Sequence, residues 1–118
     1  MKETAKKKDK QLVREKAYEI LHLLSDPHRM RILRTLSENG ELCAKDILVH
    51  FPITQPTLSH HMSGLQKTGL VAAKKCGRQV FYRISPEGLD LLIQFFSEIR
   101  EEGLRTDVIS ATDSPRSI

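Results

Sequence analysis

The sequence predicts a mainly α-helical fold that carries one small two-stranded antiparallel hairpin. Several segments repeat apolar residues at spacings of three and four, which is the period of an amphipathic helix. Within residues 70–84 the pattern changes to two short strand-like runs, separated by a turn that contains Gly77. The length of 118 residues is typical of a single domain with a small core.

The first two helices are predicted before residue 40. An apolar stripe along about 10–24 indicates the first helix. Ser25 or Asp26 is expected to cap the second helix, with Pro27 in its first turn, and Gly40 is expected to end it. Three apolar side chains are predicted to form its inner face: Met30, Leu33 and Leu36.

Two further helices are predicted close together. A short helix over about 44–50 should end at the Phe51-Pro52 pair. Thr54 is expected to cap a second helix from 55 to about 68, which Gly69 should end. Two short helices joined by a tight turn have the spacing of a helix-turn-helix, in which the second helix enters the major groove of DNA.

The hairpin and a last helix complete the predicted fold. Residues 70–74 and 79–84 are the predicted strands, and residues 75–78 join them. Ser85-Pro86 should introduce a final helix that ends near residue 102. A basic hairpin directly after a helix-turn-helix gives a winged helix-turn-helix.

The two ends of the chain are predicted to be less ordered than its middle. Residues 1–10 read as a flexible basic arm, residues 11–103 as the winged domain, and residues 104–118 as a disordered tail. The chain shows no secretory signal and no apolar run long enough to cross a membrane, and its two cysteines are too few for a disulfide scaffold. We therefore expect a cytoplasmic protein that does not bind membranes.

Charge is strongly segregated along the chain. The formal net charge is +4, yet residues 47–86 contain no Asp or Glu and do contain five Lys or Arg and three His. A surface of that composition attracts polyanions such as nucleic acids. The chain shows no Ser-His-Asp spacing, no glycine-rich phosphate loop and no paired carboxylates in an apolar setting. It is therefore not expected to be an enzyme.

The second helix of the helix-turn-helix has a polar and nearly uncharged face, which suits contact with base edges. The predicted DNA-binding residues lie on this face and at the hairpin: Gln55, Thr57, Ser59, His60, Ser63, Lys67, Lys74, Lys75 and Arg78. An ordinary solvated helix face would usually carry Glu, and a protein-binding winged helix would carry an acidic or apolar face. His61 is expected to be partly buried, whereas His22, His28 and His50 are expected at the surface or at helix ends.

Five segments of the chain resemble the ArsR/SmtB family of bacterial repressors in order and spacing, over about residues 16–100. They are LSDPHRMRIL (24–33), ELCAKDI (41–47), TQPTLSHHM (54–62), GLV (69–71) and GRQVFYRI (77–84). The resemblance implies a homodimer that binds a double-stranded operator, blocks transcription and is released by an effector. It also implies an interface made by the first and last helices, from which we select Val13, Ala17, Ile20, Leu89, Leu92, Ile93 and Phe96.

Two metal sites of the resembled family are incomplete in this chain. One uses two cysteines separated by one residue, but here Lys45 stands two residues after Cys43. Soft thiophilic ions need several thiolates close together. The other uses Asp and His on the last helix, and although Asp90 is present, no His follows His61. We therefore predict no metal and no cofactor, and the effector stays unknown.

A thiol-based redox repressor is the alternative function. Cys76 lies in the basic turn beside Lys75 and Arg78, and cationic neighbours favour a reactive thiolate. Cys43 could be its partner if the fold brings the two together. Otherwise Cys43 is a small core residue and Cys76 an incidental exposed thiol.

Overall fold

A computed structural model describes the backbone of residues 2–109 and the side chains of residues 9–105. Five helices and three strands follow one another along this part of the chain. They are α1 (Lys2–Leu24), α2 (Pro27–Asn39), β1 (Glu41–Cys43), α3 (Ala44–His50), α4 (Gln55–Lys67), β2 (Val71–Cys76), β3 (Gln79–Ile84) and α5 (Pro86–Ile109). The predicted mainly helical, winged helix-turn-helix fold is confirmed.

Both terminal helices are longer than expected. The backbone of residues 2–10, within the predicted flexible arm, is helical and belongs to α1. The Lys, Glu and Ala residues of this stretch are good helix formers, and no Gly or Pro interrupts them. At the other end α5 continues through Gly103 to Ile109, so its backbone includes the first six residues of the predicted tail. The remainder of that tail, 110–118, lies outside the described residues.

The ends of α2 follow the predicted signals. Asp26 is the N-cap, and its Oδ1 accepts a hydrogen bond from the His28 backbone N–H at 2.8 Å. Pro27 occupies the first turn, where a missing N–H costs nothing. Gly40 ends the helix with φ +84° and donates its N–H to the Leu36 carbonyl at 2.8 Å. Of the three predicted inner residues, Leu33 and Leu36 are buried but Met30 is 47% exposed.

α4 ends in a Schellman motif that turns the chain into the hairpin. Gly69 has φ +74° and donates its N–H to the Gln66 carbonyl, while Leu70 donates to the Leu65 carbonyl, both at 3.0 Å. The Leu65 and Leu70 side chains are both buried, which is the apolar contact that accompanies this motif. The direction of the hairpin is therefore set by the end of α4.

The sheet has three strands and not two. Its order is β1-β3-β2, with both pairings antiparallel. β1 is only three residues long, too short for an alternating pattern, and it pairs with the free edge of β3 through Glu41–Arg83 and Cys43–Phe81. The turn of the hairpin is shorter than predicted: Cys76 and Gln79 are paired, so only Gly77 and Arg78 form it. Gly77 has φ +62°, as a type II′ turn requires at its first central position.

One core lies between the helices and the sheet. Its fully buried side chains are Ile32, Leu36, Ile47, Leu58, Met62, Leu65 and Leu70. α5 packs along α1, where the Tyr18 and Phe95 rings meet edge to face at 5.6 Å between centroids. The inner faces of α2 and α4 meet in this core, so the outer face of α4 is free.

Candidate nucleic-acid interface

The helix-turn-helix consists of α3, the turn 51–54 and α4. Ile47 of α3 and Leu58, Met62 and Leu65 of α4 are buried against the core. Because these side chains orient α4 toward the core, its other face lies on the surface. All six predicted DNA-binding residues of α4 are exposed: Gln55, Thr57, Ser59, His60, Ser63 and Lys67.

The first turn of α4 presents hydroxyl groups in a defined arrangement. Thr54 is the N-cap, and its Oγ1 accepts a hydrogen bond from the Thr57 N–H at 3.4 Å. The Thr54 and Thr57 hydroxyl oxygens are 2.9 Å apart. Pro56 also lies in this turn, where it lacks an N–H that would have no helical partner. Thr54 therefore caps the helix, while Thr57 donates the capped N–H and keeps its side chain exposed.

The hairpin of β2 and β3 presents an uncompensated positive surface. Lys74, Lys75 and Arg78 are exposed, and residues 47–86 contain no carboxylate side chain. Within the described side chains an ion pair joins Arg34 Nε to Glu38 Oε1 at 3.3 Å, and none of the three hairpin cations takes part in one. We call this hairpin the wing. Its free cations can attract phosphates without first breaking an internal ion pair.

His61 is more buried than expected. Its side chain is 5% exposed, and its Nδ1 accepts a hydrogen bond from Arg29 Nε at 3.2 Å. Burial lowers the pKa of His61 below its ordinary value, although the nearby Asp26 carboxylate opposes that shift. No local pattern in the sequence indicates the contact with Arg29, because the two residues are 32 positions apart.

The two cysteines do not form a pair within one protomer. Cys43 is opposite Phe81 on one edge of β3, whereas Cys76 is opposite Gln79 on the other edge. Two strand spacings and a two-residue offset separate their Cα atoms by about 12 Å, and a disulfide needs less than about 7 Å. Cys43 is buried and its thiol donates to Asp46 Oδ2 at 3.1 Å, while Cys76 is exposed. The two-cysteine form of the redox alternative is therefore wrong for a single chain.

The predicted dimer-interface residues divide into two groups. Ala17 and Ile20 are 0% and 2% exposed, so they pack in the protomer's own core and offer no side-chain surface to a partner. Leu92 is also buried, and Val13 and Leu89 are half-buried. Ile93 and Phe96 are 63% and 51% exposed. Two of the three predicted interface residues on α1 are thus buried within the protomer, because their apolar stripe packs against α5.

The described residues hold neither a cluster of metal ligands nor a helix that could span a membrane. Nowhere in this part of the chain do three or more His, Cys, Asp or Glu side chains come together as metal ligands would. None of its helices combines the length and apolar character needed to span a membrane.

Comparison with known proteins agrees with this geometry. The profile of bacterial regulatory proteins of the arsR family matches residues 26–73, which include the helix-turn-helix. The arsenical resistance operon repressor of Staphylococcus xylosus is 51% identical over 75 residues, covering 64% of this chain and 71% of that protein. The protein of the same name from Staphylococcus aureus is 45% identical over 86 residues, covering 73% of this chain and 82% of the relative.

Solved structures share the fold. An ArsR-like transcriptional regulator from Rhodococcus sp. RHA1 superposes with a TM-score of 0.73 at 24% identity, covering 87% of this chain and 97% of that one. The exposed polar face of α4 and the cationic wing therefore lie in a fold that this regulator shares. The chain belongs to the arsR family of bacterial regulatory proteins and is a DNA-binding transcriptional repressor.

Proposed function

We propose that two copies of this protein bind a pseudo-palindromic operator and block transcription by occupying it. One α4 from each protomer enters the major groove, and the two insertions lie about 34 Å apart, one turn of the duplex. Operator DNA lies in the bacterial cytoplasm, so the protein acts there, and it needs no catalytic chemistry to do so.

One observation carries the proposal. An exposed polar face on α4 adjoins a wing whose cations have no internal acidic partners among the described side chains. In this division of roles, Gln55, Ser59 and His60 contact base edges and give specificity. Lys75 and Arg78 contact phosphates and give affinity that does not depend on sequence.

The second copy is proposed to cover an apolar groove on α5. Six residues line this groove: Leu89, Leu92, Ile93, Phe96, Ser97 and Arg100. Ile99 and Leu104 extend the exposed apolar surface along the same helix. Water-exposed aliphatic and aromatic side chains in one contiguous stripe favour burial against an equivalent stripe.

The staphylococcal relatives are named arsenical resistance operon repressors, but we do not propose an arsenical as the effector of this protein. Cys43 is buried, and its thiol donates a hydrogen bond to Asp46. Lys45, two residues after Cys43, is exposed. A lysine at that position places a cation where the resembled site has its second thiolate. We propose that release from the operator uses a signal other than a thiolate pair in α3.

Selection of bound fragments from a random double-stranded DNA pool, followed by titrations at several salt concentrations, tests the proposal. Lys75→Ala and Arg78→Ala should weaken binding to all fragments and flatten the salt dependence, by about one unit of slope for each phosphate that the variant no longer neutralises. Gln55→Ala should instead change the preferred base at one position, by about 1–3 kcal/mol.

Arg34→Ala is the matched control, since it removes one exposed cation that Glu38 already balances. Its salt slope should stay that of the wild type. If the wing variants and the α4 variant behave alike, the division of roles is wrong. If the wild type binds no fragment in a salt-dependent way, the proposed function is wrong.

A further inference from the structure

A buried histidine lies directly behind the DNA-facing side of α4. His61 is the one buried polar or charged side chain among the described residues. Its neighbour His60 is exposed, and the centroids of the two rings are 6.1 Å apart. The outer face of α4 and the environment of His61 are therefore formed by adjacent residues of one helix.

The hydrogen bond from Arg29 determines which nitrogen of His61 carries a proton. Arginine is always protonated and can only donate, so His61 Nδ1 must hold a free lone pair at the 3.2 Å contact with Arg29 Nε. His61 is then neutral, with its proton on Nε2. A charged imidazole would direct an Nδ1–H at the Nε–H of Arg29, and the bond would break.

The same guanidinium also contacts α1. Arg29 Nη1 donates to the Leu23 carbonyl at 3.1 Å, at the end of α1 where carbonyls have no helical partner. Leu23 in turn lies against α4, since a Cβ added at Gly64 would be 2.7 Å from Leu23 Cδ1. One side chain of α2 therefore joins α1, α2 and α4.

We infer, building on the proposed function, that the Arg29–His61 hydrogen bond holds α4 in its DNA-reading position, and that it does so only while His61 is uncharged. Arg29 and His61 are positioning residues in this scheme and do not touch DNA. The consequence is a loss of operator affinity when His61 is protonated.

Four charged or titratable groups face His61. Asp26 caps α2 and favours the charged imidazole, whereas Arg29, His28 and His60 disfavour it. The His28 ring lies at 5.9 Å from the His61 ring, and its buried Nδ1 has no hydrogen-bond partner among the described residues.

Burial, as the largest effect, lowers the pKa of His61 from its ordinary 6.5. The contribution of this hydrogen bond is thus complete above pH 6.5 and declines as the pH falls below that value.

The sign of the pH dependence separates this scheme from ordinary charge attraction. Protonation of the exposed His60 adds a positive charge beside the DNA and should strengthen binding to phosphates. Protonation of His61 should weaken binding, although it also adds a positive charge. A decrease in affinity at lower pH therefore identifies the positioning role.

The test compares His60→Gln with the double variant His60→Gln/His61→Gln, on the fragment selected from the random pool, from pH 7.5 to 5.5. Glutamine at 61 can still accept from Arg29 through its Oε1 but does not titrate. The single variant should lose affinity as the pH falls, at most about tenfold per pH unit for one proton. The double variant should lose less over the same range. Circular dichroism at each pH checks that both proteins stay folded.

A comparison without any change at His60 supplements the test. At pH 7.5, His61→Gln should bind within about threefold of the wild type, whereas His61→Leu should bind at least about tenfold more weakly, because Arg29 Nε loses its acceptor. If His61→Leu does not fold, the two pH profiles still decide the question. Identical pH profiles for the single and double variants would overturn the inference and leave the proposed function intact. Failure of the wild type to bind any fragment would instead overturn the proposed function, and the inference with it.

Discussion

Gly88, in the first turn of α5, lies close to the backbone that follows α4, and its replacement by alanine gives a sharp test of the packing. A Cβ at Gly88 would be 2.8 Å from the Thr68 carbonyl oxygen and 3.0 Å from the carbonyl carbon and oxygen of Gly69. These are backbone atoms, so no side-chain rotation can relieve the overlap. The Gly88 N–H also donates to the Gly69 carbonyl at 2.8 Å.

The expected destabilisation follows from these distances. Restoring an ordinary 3.4 Å separation moves the start of α5 by about 0.6 Å, which strains the packing and lengthens the hydrogen bond. Overpacking costs about 1–3 kcal/mol and a weakened hydrogen bond about 0.5–1.5 kcal/mol. The smaller entropy of unfolded alanine offsets about 0.4–1 kcal/mol. We expect Gly88→Ala to lower the free energy of unfolding by about 2 kcal/mol, which lowers Tm by about 8 °C.

Gly103 provides a matched control on the same helix. No described atom lies within 4 Å of a Cβ added there. Gly103→Ala should therefore stabilise the protein by about 0.5–1 kcal/mol, through helix propensity and unfolded-state entropy. Both variants are measured by thermal and urea unfolding at equal protein concentration, because dimerisation would make Tm depend on concentration. A Gly88→Ala protein as stable as Gly103→Ala would refute the close approach of α5 to the end of α4.

Three further predictions concern assembly, capping and oxidation. Phe96→Glu should shift the protein toward monomer in sedimentation experiments and weaken operator binding, whereas Arg105→Glu should leave the oligomeric state unchanged. Asp26→Ala should lower Tm, whereas Asp26→Asn should retain most of the stability, since Asn also caps helices. The hydrogen bond from the His28 N–H lowers the pKa of Asp26 below its ordinary 3.8. The stabilisation by this cap should therefore persist at neutral pH and decline only as the pH falls below 3.8. If the exposed Cys76 thiol is the oxidation target, peroxide should weaken operator binding by the wild type but not by Cys76→Ser. A Cys76→Ser protein that responds to peroxide as the wild type does would exclude Cys76 as a redox switch.

Elements whose ends are marked by one local signal were predictable from the sequence. The bounds of α3 match the prediction, and those of α4 match to within one residue, because Thr54, Pro52 and Gly69 mark their ends by local backbone chemistry. The exposure of the predicted α4 and wing residues also followed from local pattern, since apolar periodicity shows which face must turn inward.

The errors came from contacts between distant segments. β1 is a strand only because β3 offers it an edge, and its three residues carry no pattern of their own. Ala17 and Phe96 both belong to apolar stripes, yet one is 0% and the other 51% exposed. Periodicity shows that a face is apolar, but only the packing of α1 along α5 decides which part of it stays uncovered.

The sequence alone determined where the short helices begin and end. It also determined that one segment carries positive charge and no carboxylates. Both features depend only on residues that are close together along the chain. Only the folded structure decided that a guanidinium from α2 meets an imidazole from α4, that the start of α5 lies against the end of α4, and that the two thiols lie on opposite edges of β3. Those relationships join residues far apart in sequence, and they arise only when the helices and the sheet pack around a common core.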